Sequence, residues 1–357
     1  MPLKNKIIIA AAGSGKTTLI VRQAISKPQE KIAIVTYTNN NYAEISNKFY
    51  ELNGSIPSNV TIITWFTFLL RECTRPYQSF LYPNRIENIE FTNGRSARYV
   101  SKTNTEKYYL SNSKNIYTDK ISEFSVLCNE MSGGLVIDRL ERIYDTVFVD
   151  EVQDLAGWDL ELIKLLFNSK INILLVGDNR QVVYLTNHSS KNSKYSGHNI
   201  ITFFEELQAK GICKIYYLSK SFRCNQTICD LADSLYPDMP KTTSLNKNNT
   251  GHDGIFLVHK DKLSDYINTF LPTILRYDRR TKISDAFSPI NFGNSKGLTF
   301  DRVLILPNGP INKFLETEDI EHVAKSVAKF YVAITRARFS VAFAYNNKTP
   351  NEIFQLY

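Results

Sequence analysis

Residues 4–21 read KNKIIIAAAGSGKTTLIV: an apolar run, a glycine-rich turn and a helical pattern in immediate succession. The run Ile7–Ala10 predicts a buried strand, and the spacing from Thr17 to Ser26 predicts a helix that starts where the glycines end. Apolar runs bounded by turn residues recur at Ile32–Thr36, Val60–Thr64, Thr146–Val149 and Ile171–Val176, with helical patterns between several of them. Strands alternating with helices predict an α/β fold built on a parallel sheet. A second set, Lys214–Leu218, Gly254–His259, Arg302–Leu306 and Ser340–Tyr345, predicts a second α/β unit, joined to the first near residues 205–212.

The expected organisation is a first domain over residues 1–72 and 141–205, an inserted subdomain at 73–140, and a second domain at 206–357 with a minimal insertion around 236–254. Residues 73–140 differ from their surroundings in being rich in Tyr, Asn, Ser and Lys. Such a segment could track a nucleic-acid backbone and stack bases, but polar, aromatic-bearing segments are more often solvated surface or a protein contact, and that is the favoured reading. A length of 357 residues fits two domains, and 43% hydrophobic with 22% charged residues is the balance of a globular chain. No signal peptide and no apolar membrane span is read, so a cytoplasmic location away from membranes is expected. The five cysteines are scattered and the five histidines never fall at ligand spacings, so neither disulfides nor zinc is expected. A net charge of +8 is compatible with a polyanionic partner or with solubility alone.

The chemistry lies at three strand ends. After Ala10, the backbone of Ala12, Gly13, Ser14 and Gly15 can line phosphates at a helix N-terminus that also carries Lys16, Thr17 and Thr18. Lys16 would reach the β and γ phosphates, and the Thr17 hydroxyl would coordinate Mg²⁺. Ala10 stands where the GxxxxGK[ST] pattern has its first glycine. The second end is TVFVDEVQD, residues 146–154, where Asp150 would hold Mg²⁺ and Glu151 would polarise the attacking water. The third is INILLVGDNRQVVYL, residues 171–185, where the Gln181 amide can sense a γ phosphate.

Taken in order, these stretches resemble the motifs of the UvrD/Rep/PcrA-like superfamily 1 helicases. AAAGSGKTT is similar to Walker A, IVTYTNNNYAEI to motif Ia, VDEVQD to Walker B and LLVGDNRQVVY to motif III; LSKSFRCNQTI, SKGLTFDRVLIL and YVAITRARFSVAFA are similar to motifs IV, V and VI. The resemblance implies two RecA-like domains that hydrolyse ATP with Mg²⁺ in the cleft between them. It adds Gly297 to the nucleotide set and assigns Arg223 and Arg336 to the γ phosphate, a role that suits planar, permanently charged guanidinium groups. It implies single-stranded or partly duplex DNA as partner, gripped by Tyr37, Thr38, Asn39, Trp65, Phe66 and Tyr184. Phe66, Phe68 and Leu69 have a second reading as the core face of a helix. Compact relatives also serve as the helicase-like subunit of Gabija-type antiphage systems beside an OLD-type nuclease, which implies a nucleotide-gated regulator as the alternative.

The pattern departs from the family in four places. Only Met1–Lys6 precede the first strand, where relatives carry a glutamine motif that reads adenine, so weak base selectivity is expected. YLTNHSS follows Val183 in place of a tryptophan-bearing turn, Thr299 stands for the usual Glu of motif V, and the stretch between Arg223 and Gly297 is too short for a large accessory subdomain.

Overall fold

Across the first sheet the strands run Val60–Thr64, Ile32–Thr36, Thr146–Val149, Asn172–Gly177, Lys6–Ala10 and Lys214–Leu218. The pairings among the first five are parallel. Ile32–Thr36 and Thr146–Val149 are buried along their whole length, as near-continuous apolar runs are when helices cover both faces of a sheet. Val35 lies opposite Val149, Val149 opposite Leu175, and Ile9 opposite Gly177. This register ends the strands together, so the segments after Ala10, Thr36, Val149 and Gly177 leave from one sheet edge, the edge at which doubly wound sheets bind ligands.

The computed structural model describes residues 4–92, 94–183, 186, 189–281, 283–284, 287–345 and 354–357. It comprises two units: Met1–Ile9 with Lys16–Tyr216, and Ala10–Gly15 with Tyr217–Tyr357. Both are α/β and RecA-like, as the sequence predicts. Lys214–Leu218, expected among the strands of the second set, instead lies beside Lys6–Ala10 at the edge of the first sheet. Its residues are largely exposed, as on an edge strand, and Lys214 N donates to Asn5 O at 3.1 Å. Which sheet an edge strand joins is set by such long-range bonds, which apolar periodicity does not carry.

Within residues 73–140 the strands Asn88–Glu90, Asn115–Tyr117 and Leu110–Ser111 form a small sheet. The helix Ile121–Met131 that follows is buried along most of its length in the first unit, with only Glu130 and Met131 exposed at its end. Thr74 and Ser125 hydroxyls bond at 2.9 Å, and Ser122 Oγ donates to Asp159.

In the second unit the order is Ile290–Asn291, Thr273–Arg276, Phe300–Leu306, Ala337–Tyr345, Gly254–His259 and Gln355–Leu356, all parallel. Alternate residues face opposite sides. Leu257, Leu275, Val303, Ile305, Val341 and Phe343 pack with Phe314 and Phe330 from the helices Gly309–Thr317 and Val327–Ile334. Val258, Leu304 and Ala342 pack on the other face with Tyr266 and Ile267. The strand Thr273–Arg276 was not among those expected. All five cysteines are buried and unbridged. Among the described residues no helix is long and apolar enough to cross a membrane.

Candidate functional site

In the second unit, the glycine loop takes the left-handed backbone that its composition allows, with φ of 72° at Gly13 and 80° at Gly15. A Cβ on Gly13 would lie 2.5 Å from Arg223 Cβ and 2.8 Å from Ser221 Oγ, so no other residue fits there. Ser221 Oγ donates to Ala12 O at 2.9 Å, Phe222 N to Gly13 O at 2.8 Å, and Ala12 N to Tyr331 Oη at 3.4 Å. The Ser14 hydroxyl is buried without a hydrogen-bond partner. A buried orphan of this kind is costly unless a ligand satisfies it, and phosphate oxygens are suited to do so.

In the first unit the helix Lys16–Ile25 opens on Lys16, and Thr17 Oγ1 donates to Glu44 Oε1 at 3.0 Å. Asp150 is buried, and its Oδ1 has no hydrogen-bond partner. Burial first, then the charges of Glu151 and Glu44, push its carboxyl up to about 7 against the opposing pull of Lys16. An under-compensated buried carboxylate, linked through Glu44 to a threonine hydroxyl, fits Mg²⁺, which takes one or two carboxylates and leaves its other positions to water and phosphate. Thr17 and Asp150 would hold the ion, with Glu44 against the Thr17 hydroxyl. Thr18, also expected in the nucleotide set, is partly exposed on the same helix turn.

Glu151 sits in the left-handed region at φ 55°, ψ 40°, a conformation a non-glycine residue keeps only where its surroundings impose it. Gln153 supplies those surroundings. Its Nε2 donates to Glu151 Oε2, and its Oε1 accepts from Asp178 N at 2.9 Å. A Cβ on Gly177 would lie 2.3 Å from Gln153 Oε1, so the glycine admits this bridge.

Asp178 is fully buried, pairs with Arg180 Nε at 3.0 Å and accepts from Gln181 Nε2 at 2.9 Å. Burial alone would raise its carboxyl, but the charges of Arg180 and Lys16 and the Gln181 bond hold it below the ordinary value. Gln181 is thereby oriented by a carboxylate. Glu44, Gln153, Asp178 and Arg180 had no role in the sequence reading. All stand inside the motif stretches, but only their spatial partners distinguish them.

Two arginines converge in the second unit. Arg223 Nη1 donates to Thr335 O at 3.1 Å. Arg336, only 2% exposed, donates from Nε to Val332 O and from Nη1 to Leu298 O, both at 3.1 Å. Gly297, at φ 86°, makes the turn that presents Leu298. The structure thus brings Arg223, Arg336 and Gly297–Leu298 around Thr335.

The residues expected to grip nucleic acid are dispersed in their roles. Trp65 is 1% exposed and donates Nε1 to Asp159 Oδ1 at 3.0 Å, so it has no face for a base. Phe66 is buried beside it, and Phe68 belongs to the core. Trp65, Phe66 and Phe68 turn inward in the helix that starts directly after the strand Val60–Thr64. Thr38 Oγ1 caps the helix Asn39–Asn53 by accepting from Asn41 N at 3.1 Å. Asn39 is exposed and Tyr37 partly so. Tyr184 lies outside the described residues.

A family profile described as an AAA domain matches residues 1–187. The chain is 26% identical over 238 residues to the Gabija protein GajB of Bacillus cereus, covering 63% of this chain and 45% of that protein. It is 27% identical over 141 residues to a probable DNA helicase II homolog of Mycoplasma genitalium, covering 38% of this chain and 19% of that one. The chain thus spans less than half the length of these curated relatives. A solved structure of arterivirus nonstructural protein 10, a helicase in complex with DNA, matches with a TM-score of 0.50 and 12% identity over 96% of this chain and 61% of that one, a likeness of fold. With the AAA match over more than half its length and the helicase motifs in order on these strand ends, the chain belongs to the UvrD-like superfamily 1 helicases.

Proposed function

We propose that the chain hydrolyses ATP and uses the cycle to step along single-stranded DNA. The observation that carries this reading is the orphaned Asp150 oxygen on the strand end that also bears Glu151, with the charge of Lys16 acting on it. Lys16 balances charge on the β and γ phosphates, and the Ser14 hydroxyl and loop amides receive the phosphate oxygens. Mg²⁺, when bound, neutralises charge on the transferring phosphoryl group. Glu151, held by Gln153, orients the attacking water and accepts its proton at the carboxylate. Gln181, oriented by Asp178, reads whether a γ phosphate is present. Arg223 and Arg336 stabilise the charge that develops on it.

The test is ATP turnover by the purified chain with and without a single-stranded oligonucleotide. Stimulation is expected, with oligonucleotide binding that weakens with salt at a logarithmic slope of about −0.7 per neutralised phosphate. Turnover indifferent to DNA would overturn the stepping role. The similarity to the Gabija protein GajB favours a second reading, a nucleotide-gated subunit that controls a partner nuclease. Under that reading, turnover responds to the co-expressed nuclease and not to the oligonucleotide alone.

A further inference from the structure

Phe91 is 75% exposed, yet it is held on both sides of its place in the chain. Its ring stands edge-on to Phe66, with centroids 5.9 Å apart and planes at 88°. Phe66 stands in turn against Tyr37, at 5.7 Å and 61°. Three rings therefore run from the end of the strand Ile32–Thr36 out to the surface, and the middle one is buried. The sequence reading placed a base on Phe66; in the structure Phe66 is the support, and the open face belongs to Phe91.

The loop after Phe91 is built around one buried carboxylate. Asp119 accepts from Ser96 N at 2.9 Å, from Ser96 Oγ at 2.6 Å and from Thr92 Oγ1 at 3.3 Å. Thr92 N donates to Thr118 Oγ1 at 3.2 Å, and Thr118 N to Glu90 O at 3.0 Å. An apolar ring is thus pinned at the surface, where burial gives it little stabilisation. The same stretch carries Arg95, Arg98 and Lys107, while Lys102 pairs with Glu123, Lys114 with Glu87 and the buried Lys120 with Asp119. Asp119 is turned inward by the loop, and Glu106 accepts from Ser113. An exposed, pre-positioned aromatic followed in its own loop by Arg95 and Arg98 matches a base stacked on a ring with its backbone on cations, a pairing indifferent to base identity.

We propose that Phe91 is a base-stacking platform for single-stranded nucleic acid, with Phe66 as its support and Arg98 meeting the adjoining phosphate. The inference rests on the reading of the chain as a DNA-stimulated ATPase and names a contact outside the motifs that carry that reading.

The experiment uses the full chain and a single-stranded oligonucleotide with one 2-aminopurine, whose fluorescence falls when it stacks. The wild-type protein should quench it. Phe91→Ala should abolish quenching and weaken binding by about 5- to 150-fold, the effect of losing one base–aromatic stack. Its thermal midpoint should stay at the wild-type value, because the ring is mostly exposed, and Phe91→Trp should restore quenching. Arg98→Ala should keep the quenching and reduce the salt slope by about 0.7. Wild-type binding with equal affinity and quenching in Phe91→Ala overturns this inference alone. A wild-type chain that does not bind the oligonucleotide overturns the parent reading and this one with it.

Discussion

In the first unit Asp178 is fully buried and is held by side chains, Arg180 on one oxygen and Gln181 on the other. In the second unit Arg336 is as deeply buried and is held through the backbone oxygens of Val332 and Leu298. The acid's contacts are exchangeable side chains, and its backbone N–H donates to Gln153, which in turn donates to Glu151. The arginine is bolted to Leu298 after the turn at Gly297 and to the end of the helix Val327–Ile334 that precedes it. Side-chain networks can be retuned one residue at a time. A guanidinium on carbonyls couples its chemistry to the fold that carries it.

The largest effect is expected where chemistry and fold coincide. Arg336→Ala should cut ATP turnover by about 10³ to 10⁵ if the guanidinium stabilises the transferring phosphoryl group. It should also lower stability by about 1–3 kcal/mol, because buried carbonyls lose their donor. Single-turnover hydrolysis and urea unfolding read the two separately. Turnover within tenfold of wild type would break the assignment, whatever the stability.

A smaller effect should follow from cutting the relay. Gln153→Ala leaves Asp178 N without its acceptor and Glu151 without its donor, at a cost of about 1–3 kcal/mol. Turnover should fall while ATP affinity stays near the wild-type value, since the phosphate loop is untouched. An equal loss in both would show that Gln153 merely supports the fold.

The smallest effect concerns pH. The folded Asp178 carboxyl lies below its ordinary value of about 3.9, so its ionised form contributes stability that is present above that value and lost as pH falls through the folded one. Asp178→Asn should therefore be less stable than wild type at neutral pH, and the difference should shrink as pH falls below about 4. Thermal midpoints across pH 2 to 7 check this. A difference independent of pH would mean that Asp178 acts by shape and not by charge.

Ile32–Thr36, Val60–Thr64 and Thr146–Val149 form strands at the residues their apolar runs predict. Gly13 and Gly15 take the positive φ that a phosphate loop needs. These features are legible because each depends on a few consecutive residues: a run long enough to be buried, a glycine where the backbone must turn, a polar residue where a helix starts. Lys214–Leu218 also reads as a strand, but its sheet was settled by bonds to residues some 200 positions earlier. Trp65 reads as a stacking surface and Phe66 as either a stacking surface or core, and the structure turns both inward. Gln153 and Asp178 lie 25 residues apart, and Arg336 and Leu298 lie 38 apart. The sequence determined which groups stand at the strand ends, because local patterning carries that information. Only the tertiary structure decided which of them are bonded, buried or left without a partner, because those outcomes depend on packing between segments that are distant in the chain.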